Sequence, residues 1–366
     1  MRVRIPNLYL IERGASLTIK LTDKEYLTFD DVLIVPLCSF VHSRMDVSLK
    51  TRLVGDLTIG IPLISANMDT VTELAMAKAM HSVGGMGFIH RFINDPVEHA
   101  KLVSETPGYR FLTIGVKADD LDKIDIANEL QGVVIDIAHG HSERVIKTIK
   151  IIRDKYPHLW IIAGNVATYD GAWDLLVAGA HGIKVGVGPG SLCTTRIVTG
   201  CGVPQLSAIM EVRRAIDHYD SIYEPKHTPT LIADGGIRNS GDIVKALAAG
   251  ANSVMIGSLF AGTDESPGDI IIQAGLPYKV YRGMASTGAM SIVGTDRTAE
   301  GVTTLTPYKG SVINLVNELC GGIRSGLSYC NSESISELHE QDIEMIRVTQ
   351  ASQGESRPHG LLVNKE

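Results

Sequence analysis

The stretch GVGPGSLCTTR (186–196) gathers more chemistry-bearing residues than any other in this chain of 366 residues. Three glycines and a proline precede Ser191, and Cys193 is followed by Thr194 and Thr195. Glycines let a backbone approach a ligand closely and turn its N–H groups toward a phosphate, to which Ser191 adds a hydroxyl. The same composition also suits a tight strand-to-helix turn with no ligand. Cys193 divides the same way: a free cysteine is most often a small buried apolar residue, but on an active loop its thiolate is a nucleophile.

Two further glycine-bearing segments follow, ADGGI (233–237) and MIGS (255–258). Each ends a short apolar run. Eight such runs recur: IPLISAN (61–67), MGFIH (86–90), FLTIGV (111–116), GVVIDIA (132–138), LWIIAGNV (159–166), GIKVGVG (182–188), TLIADGG (230–236) and NSVMIGS (252–258). Near-continuous Val, Ile and Leu, without alternation, marks strands covered on both faces of a parallel sheet. Stretches with apolar residues three and four apart lie between them, as in SERVIKTIKIIRDKY and SGDIVKALAAGA. Eight strand-helix units predict an eight-stranded parallel (β/α)8 TIM barrel, extended at both termini, with residues 1–366 as a single domain. Polar and glycine residues end several strands, at the face where such barrels carry their chemistry, and the seventh and eighth strands commonly build a phosphate site. Asp234 would oppose a phosphate, so it suits ribose hydroxyls; its alternative is a helix N-cap.

Composition narrows the partners. With 44% hydrophobic and 20% charged residues and a net charge of −7, the chain reads as soluble, without the basic surface that nucleic acid or an anionic membrane demands. NLYLIERGASLTIKL near the start is broken by Glu12 and Arg13 and fits neither a signal peptide nor a membrane span. Five scattered cysteines without a CxxC pair suit a reducing cytoplasm. His139 and His141 lack a carboxylate partner pattern, so no transition metal is assigned.

The segments LTFDDVLIVP (27–36), ISANMDTVTE (64–73), IDIAHGHS (135–142), AGNVAT (163–168), GVGPGSLCTTRIVTGCGVPQ (186–205), IADGGIRNSGD (232–242), MIGSLFAG (255–262), YRGMAS (281–286) and YKG (308–310) resemble the IMP dehydrogenase and GMP reductase family across nearly the whole chain. That resemblance implies a catalytic loop at about 186–205 and a flap at about 285–306. It implies a Cys193 thiolate adding to C2 of a purine nucleotide while hydride passes between C2 and a nicotinamide, with Thr195 and Glu300 as a proton relay. Ser191, Gly235, Gly236, Gly257, Ser258 and Tyr281 would hold the 5′-phosphate, Asp234 the ribose, and Gly283 and Met284 the base. Asn67, Asp136, Ile137, Ala138 and Arg297 would face the nicotinamide cofactor, and the carbonyls of Gly188, Gly190 and Cys193 would hold K⁺. A homotetramer is implied. The dinucleotide has no Gly-x-Gly-x-x-Gly after the first strand to bind to.

Within that resemblance the reaction turns on what leaves C2. The dehydrogenases hydrolyse the covalent intermediate with a flap Arg-Tyr pair, but ASTGAMSIVGTDRTAEGV (285–302) contains no tyrosine. Arg297, three residues before Glu300, matches the reductase pattern, as do Asn67 and Ile137. Only about twenty residues separate FIHRF from FLTIGVK, where most dehydrogenases insert CBS modules. TVTE (70–73), YRGM (281–284) and the tail ESRPHG (355–360) are dehydrogenase-like. The expectation is an NADP(H)-dependent GMP reductase in purine salvage. An NAD-dependent IMP dehydrogenase without CBS modules, a non-catalytic purine-nucleotide regulator, and a hydrolase or isomerase of another phosphorylated metabolite are the alternatives.

Overall fold

All eight predicted runs are parallel strands of one sheet in the computed structural model, which describes residues 19, 21–292 and 298–356. They are β1 (Leu63–Ser65), β2 (Met86–Gly87), β3 (Phe111–Ile114), β4 (Gly132–Asp136), β5 (Trp160–Val166), β6 (Gly182–Val185), β7 (Thr230–Asp234) and β8 (Ser253–Ile256). The ladder runs β2-β1-β8-β7-β6-β5-β4-β3, so the sheet curls round with β8 hydrogen-bonded to β1. No ladder among the described residues joins β2 to β3, where β2 is only two residues long. The architecture is the expected (β/α)8 barrel, its sheet left open at that one seam.

Each strand is buried because its side chains face either the barrel interior or an outer helix; β3, β6 and β8 are buried at every position. The outer layer is α1 (Leu74–Ser82), α2 (Pro96–Ser104), α3 (Ala118–Ile126), α4 (Glu143–Lys155), α5 (Tyr169–Ala178), α6 (Gln205–Tyr223), α7 (Ser240–Ala248) and α8 (Val312–Tyr329). Several start on a side-chain cap just past a strand end: Ser142 accepts from Val145, Thr168 from Gly171 and Asn239 from Asp242. Such caps satisfy the first free amides and fix where each βα loop turns into its helix.

The extensions have defined work. A hairpin of Thr51–Val54 and Leu57–Ile59 closes the barrel end opposite the site, with Thr230 Oγ1 donating to the Leu53 carbonyl (2.7 Å) and Thr51 Oγ1 to that of Asn252 (2.8 Å). Val32–Ile34 pairs antiparallel with Met345–Arg347, tying the two ends of the described chain together. After β8, an antiparallel sheet of β9 (Ile271–Gln273), β10 (Leu276–Arg282) and β11 (Thr303–Pro307) rises beside the mouth and carries the flap between β10 and β11. Among the described residues no helix is long and apolar enough to cross a membrane.

A buried histidine, His99, and a partly buried one, His181, make stability pH-dependent. Burial, then Lys123 and His90, hold the His99 imidazole down to about 3, and burial with Arg153 holds His181 down to about 4. The unfolded imidazoles protonate below their ordinary 6.5, while the folded ones resist. Stability is therefore undiminished above that value and falls with pH through the window below it, by about 1.4 kcal/mol per pH unit per histidine. Denaturant titrations at successive pH values should show this slope, and His99→Leu should remove about one proton from it. An unchanged slope in that variant would show that His99 titrates normally.

Candidate active site

The strands deliver their polar ends to one mouth. At its centre lies Lys184 on β6, only 2% exposed, which the sequence reading passed over. Its Nζ sits 3.0 Å from Asp136 Oδ1, at the end of β4, and donates to Asp234 Oδ2, at the end of β7. Asn165 Nδ2 adds a donor to Asp234 Oδ2 at 2.9 Å and another to the Gly186 carbonyl at 2.9 Å. For Asp136, burial pushes the carboxyl up, but Lys184, Arg91 and Asn67 outweigh it and leave the group below the usual carboxylate range. Burial likewise opposes the Lys184 charge, and the two carboxylates overcome it, raising its pKa. The signal for Lys184 was in the sequence: a single charge inside the apolar run GIKVGVG.

Beside this triad is a cavity lined by Ser191, Asp234, Gly235, Gly236, Gly257, Ser258 and Tyr281, which are all seven residues expected around phosphate and ribose. Gly235 and Gly236 take φ of +92° and +81°, a left-handed turn that keeps side chains out of the cavity. Among the described residues no lysine or arginine lines it. Tyr281 is 6% exposed, its hydroxyl 3.4 Å from Ser191 Oγ, and burial raises its pKa. Its strand is pinned to the β1 loop by Arg282, whose Nε donates to Asp69 Oδ2 at 2.8 Å, a pair absent from the sequence reading.

Cys193 is half-buried on the loop after β6. Its Sγ lies 3.2 Å from Thr195 Oγ1, and Thr195 Oγ1 donates to Glu300 Oε2 at 2.8 Å. Backbone contacts make this possible: Thr194 N donates to the Glu300 carbonyl (2.9 Å) and Val302 N to that of Leu192 (3.1 Å). Arg196 closes the loop on itself through the carbonyls of Val187 (3.2 Å) and Val203 (2.6 Å).

The other expected residues fall nearby with differing fit. Gly283 N already donates to the Val302 carbonyl at 3.0 Å, and Met284 Sδ accepts from Asp69 N at 3.4 Å. Asn67, Ile137 and Ala138 sit at the ends of β1 and β4; the Asn67 amide nitrogen is buried without a well-formed bond, beside the Asp136 carboxylate whose charge it favours. The Gly190 carbonyl accepts from Cys193 N at 3.0 Å, which leaves it a lone pair for a cation alongside Gly188 and Cys193. Arg297 lies outside the described residues.

A cysteine, a hydroxyl and a carboxylate lie in line beside a glycine-walled cavity at the barrel mouth, the arrangement of a barrel enzyme. The chain belongs to the IMP dehydrogenase / GMP reductase family, whose domain matches residues 26–359, and is thereby an oxidoreductase. It is 35% identical to an inosine-5′-monophosphate dehydrogenase of Nitrosopumilus maritimus over 481 aligned positions, covering 93% of this chain and 99% of that one. It is 38% identical to that of Borreliella burgdorferi over 403 positions (92% and 97%) and 38% to that of Cryptosporidium parvum over 396 (93% and 96%). All three carry the dehydrogenase name, so these similarities favour the dehydrogenase alternative over the expected reductase. They also lessen the weight of the missing insert, because the segments of those relatives that have no counterpart here differ widely in length.

Lys184→Met should lower stability by about 3–5 kcal/mol, since it leaves two carboxylates facing each other unneutralised. Adding Asp136→Asn should recover part of that loss. Thermal and denaturant unfolding of the single and double variants measure both, and a fully stable single variant would refute the triad's role.

Proposed function

We propose that this chain oxidises IMP to XMP with a nicotinamide acceptor, through a covalent bond between Cys193 and C2 of the purine. The observation that carries this reading is the line Cys193 Sγ, Thr195 Oγ1, Glu300 Oε2, beside the glycine-walled cavity. The 5′-phosphate would sit against the amides of Gly235, Gly236, Gly257 and Ser258, with the Ser191 and Tyr281 hydroxyls. Asp234, paired with Lys184, would accept from the ribose hydroxyls, and Gly283 and Met284 would border the base.

In this mechanism the thiol proton passes through Thr195 to Glu300 as sulfur adds to C2. A bound nicotinamide supplies the hydride acceptor, near Asn67, Asp136, Ile137 and Ala138. Once Glu300 has released that first proton to solvent, water adds to C2, its proton leaving by the same Thr195–Glu300 line, and the Cys193 thiolate departs to release XMP. A carboxylate behind a hydroxyl suits both proton transfers. The family's K⁺ fits the carbonyls of Gly188, Gly190 and Cys193, an all-oxygen set suited to a hard cation. Homotetramer assembly remains part of the same reading.

A second reading, NADPH-dependent reduction of GMP to IMP and ammonia, is favoured by the tyrosine-free interval 285–302 and by Arg297 three residues before Glu300. In that direction Glu300 gives its proton through Thr195 to the departing amine.

Purified protein supplied with IMP plus NAD⁺, and separately with GMP plus NADPH, tests the direction by nicotinamide absorbance and by chromatography of the product. XMP accumulating over many turnovers supports the dehydrogenase; ammonia and IMP from GMP support the reductase instead. Cys193→Ala should abolish either reaction and leave nucleotide affinity within about tenfold, ~1.4 kcal/mol. Glu300→Gln should slow the productive reaction by about 10²–10⁴-fold with little change in packing.

A further inference from the structure

The motif YKG (308–310) stands outside the cavity, yet all three residues grip the segment that follows β8. Lys309 Nζ donates to the carbonyls of Ser258 (2.6 Å), Leu259 (3.1 Å) and Ala261 (2.7 Å). Lys309 N donates to the Gly262 carbonyl (2.9 Å), and Asp264 N to that of Gly310 (2.9 Å). Tyr308 donates its hydroxyl to the Asp264 carboxylate. The gripped segment is the turn that begins at Gly257, whose carbonyl accepts from Phe260 N (3.1 Å) and Ala261 N (2.9 Å).

We infer that Lys309 is a positioning residue for phosphate: it fixes the turn so that the amides of Gly257 and Ser258 face the 5′-phosphate of the nucleotide. The inference rests on the nucleotide reading above, and goes beyond it in naming a residue that touches no substrate. Its physical basis is the grip of Lys309 on three carbonyls of the turn, beside a cavity wall with no lysine or arginine among the described residues. A dianion there depends on N–H groups and hydroxyls aimed in advance, and amides on a loosened turn must be ordered at binding, which costs affinity. Three charge-assisted bonds from one ammonium to successive carbonyls are a strong means of ordering a turn that is too short to hold itself.

The test separates phosphate from the rest of the ligand. Binding of IMP and of inosine is measured calorimetrically on the wild-type protein, on Lys309→Met and on Lys309→Arg, with thermal unfolding of each as a check on folding. The expected result is that Lys309→Met weakens IMP about tenfold or more and moves inosine less than about twofold. Lys309→Arg should recover part of the loss, since a guanidinium can still donate to several carbonyls. Equal weakening of IMP and inosine, or no weakening of IMP in a folded Lys309→Met protein, overturns the inference. If wild-type protein binds IMP no better than inosine, the phosphate reading of the cavity fails, and that failure is visible before any variant is made. Should Lys309→Met not fold, Lys309→Arg alone decides: a phosphate-specific change in IMP affinity, up or down, sustains the role, and parallel changes in both ligands refute it.

Discussion

The buried ammonium of Lys184 is the constraint on which the mouth of this barrel depends. Asp136 and Asp234 come from strands on opposite sides of β6, and both point into a region with little water. Two carboxylates so placed repel each other and lose hydration. Without a shared cation one would take up a proton or turn outward. With Lys184 between them the two carboxylates share one cation, which holds Asp136 below the usual carboxylate range. The same ion triad therefore fixes the spacing between the two carboxylates at the mouth.

The reacting line is assembled differently. Cys193 and Thr195 belong to the loop after β6, whereas Glu300 lies on the return of the flap. Backbone hydrogen bonds between residues 192–194 and 300–302 put the three side chains in register. Such a seam, between two loops over a rigid barrel, can open without disturbing the core.

How much of this was legible in the sequence differs from element to element. All eight strands were readable because burial on both faces leaves near-continuous apolar runs, whereas glycine-bearing strand ends alone allow either a phosphate site or a tight turn, and the cavity residues were named through the family resemblance. The open seam between β2 and β3 was not: Met86 and Gly87 are followed by GFIH-like apolar residues that look like more strand, and pairing is a tertiary property. Lys184 was overlooked because a lone charge in a strand is normally read as a surface position, and its two partners lie 48 and 50 residues away in the chain. Arg282 and Asp69, similarly, are 213 residues apart, and nothing local to either one announces the other. Glu300 was found through its resemblance to a family motif, and its bond to Thr195 gives that assignment a geometric basis.

The direction of the reaction is the point at which sequence pattern and similarity diverge, and the relay explains why. A flap without a tyrosine reads as the loss of a hydrolytic base only if no other group can take a proton from water. Thr195 and Glu300 form such a group: the carboxylate that protonates a departing amine when it holds a proton will accept one from attacking water when it does not. The same atoms serve both directions, so the missing tyrosine does not by itself remove a step. What then distinguishes a dehydrogenase from a reductase is which molecule occupies the space over C2, water or the purine amine, and how long the flap excludes or admits it. Near full-length similarity to proteins that carry the dehydrogenase name weighs on the side of water. The buried triad and the phosphate cradle are indifferent to that choice, because the ribose 5′-phosphate is common to substrate and product in either direction.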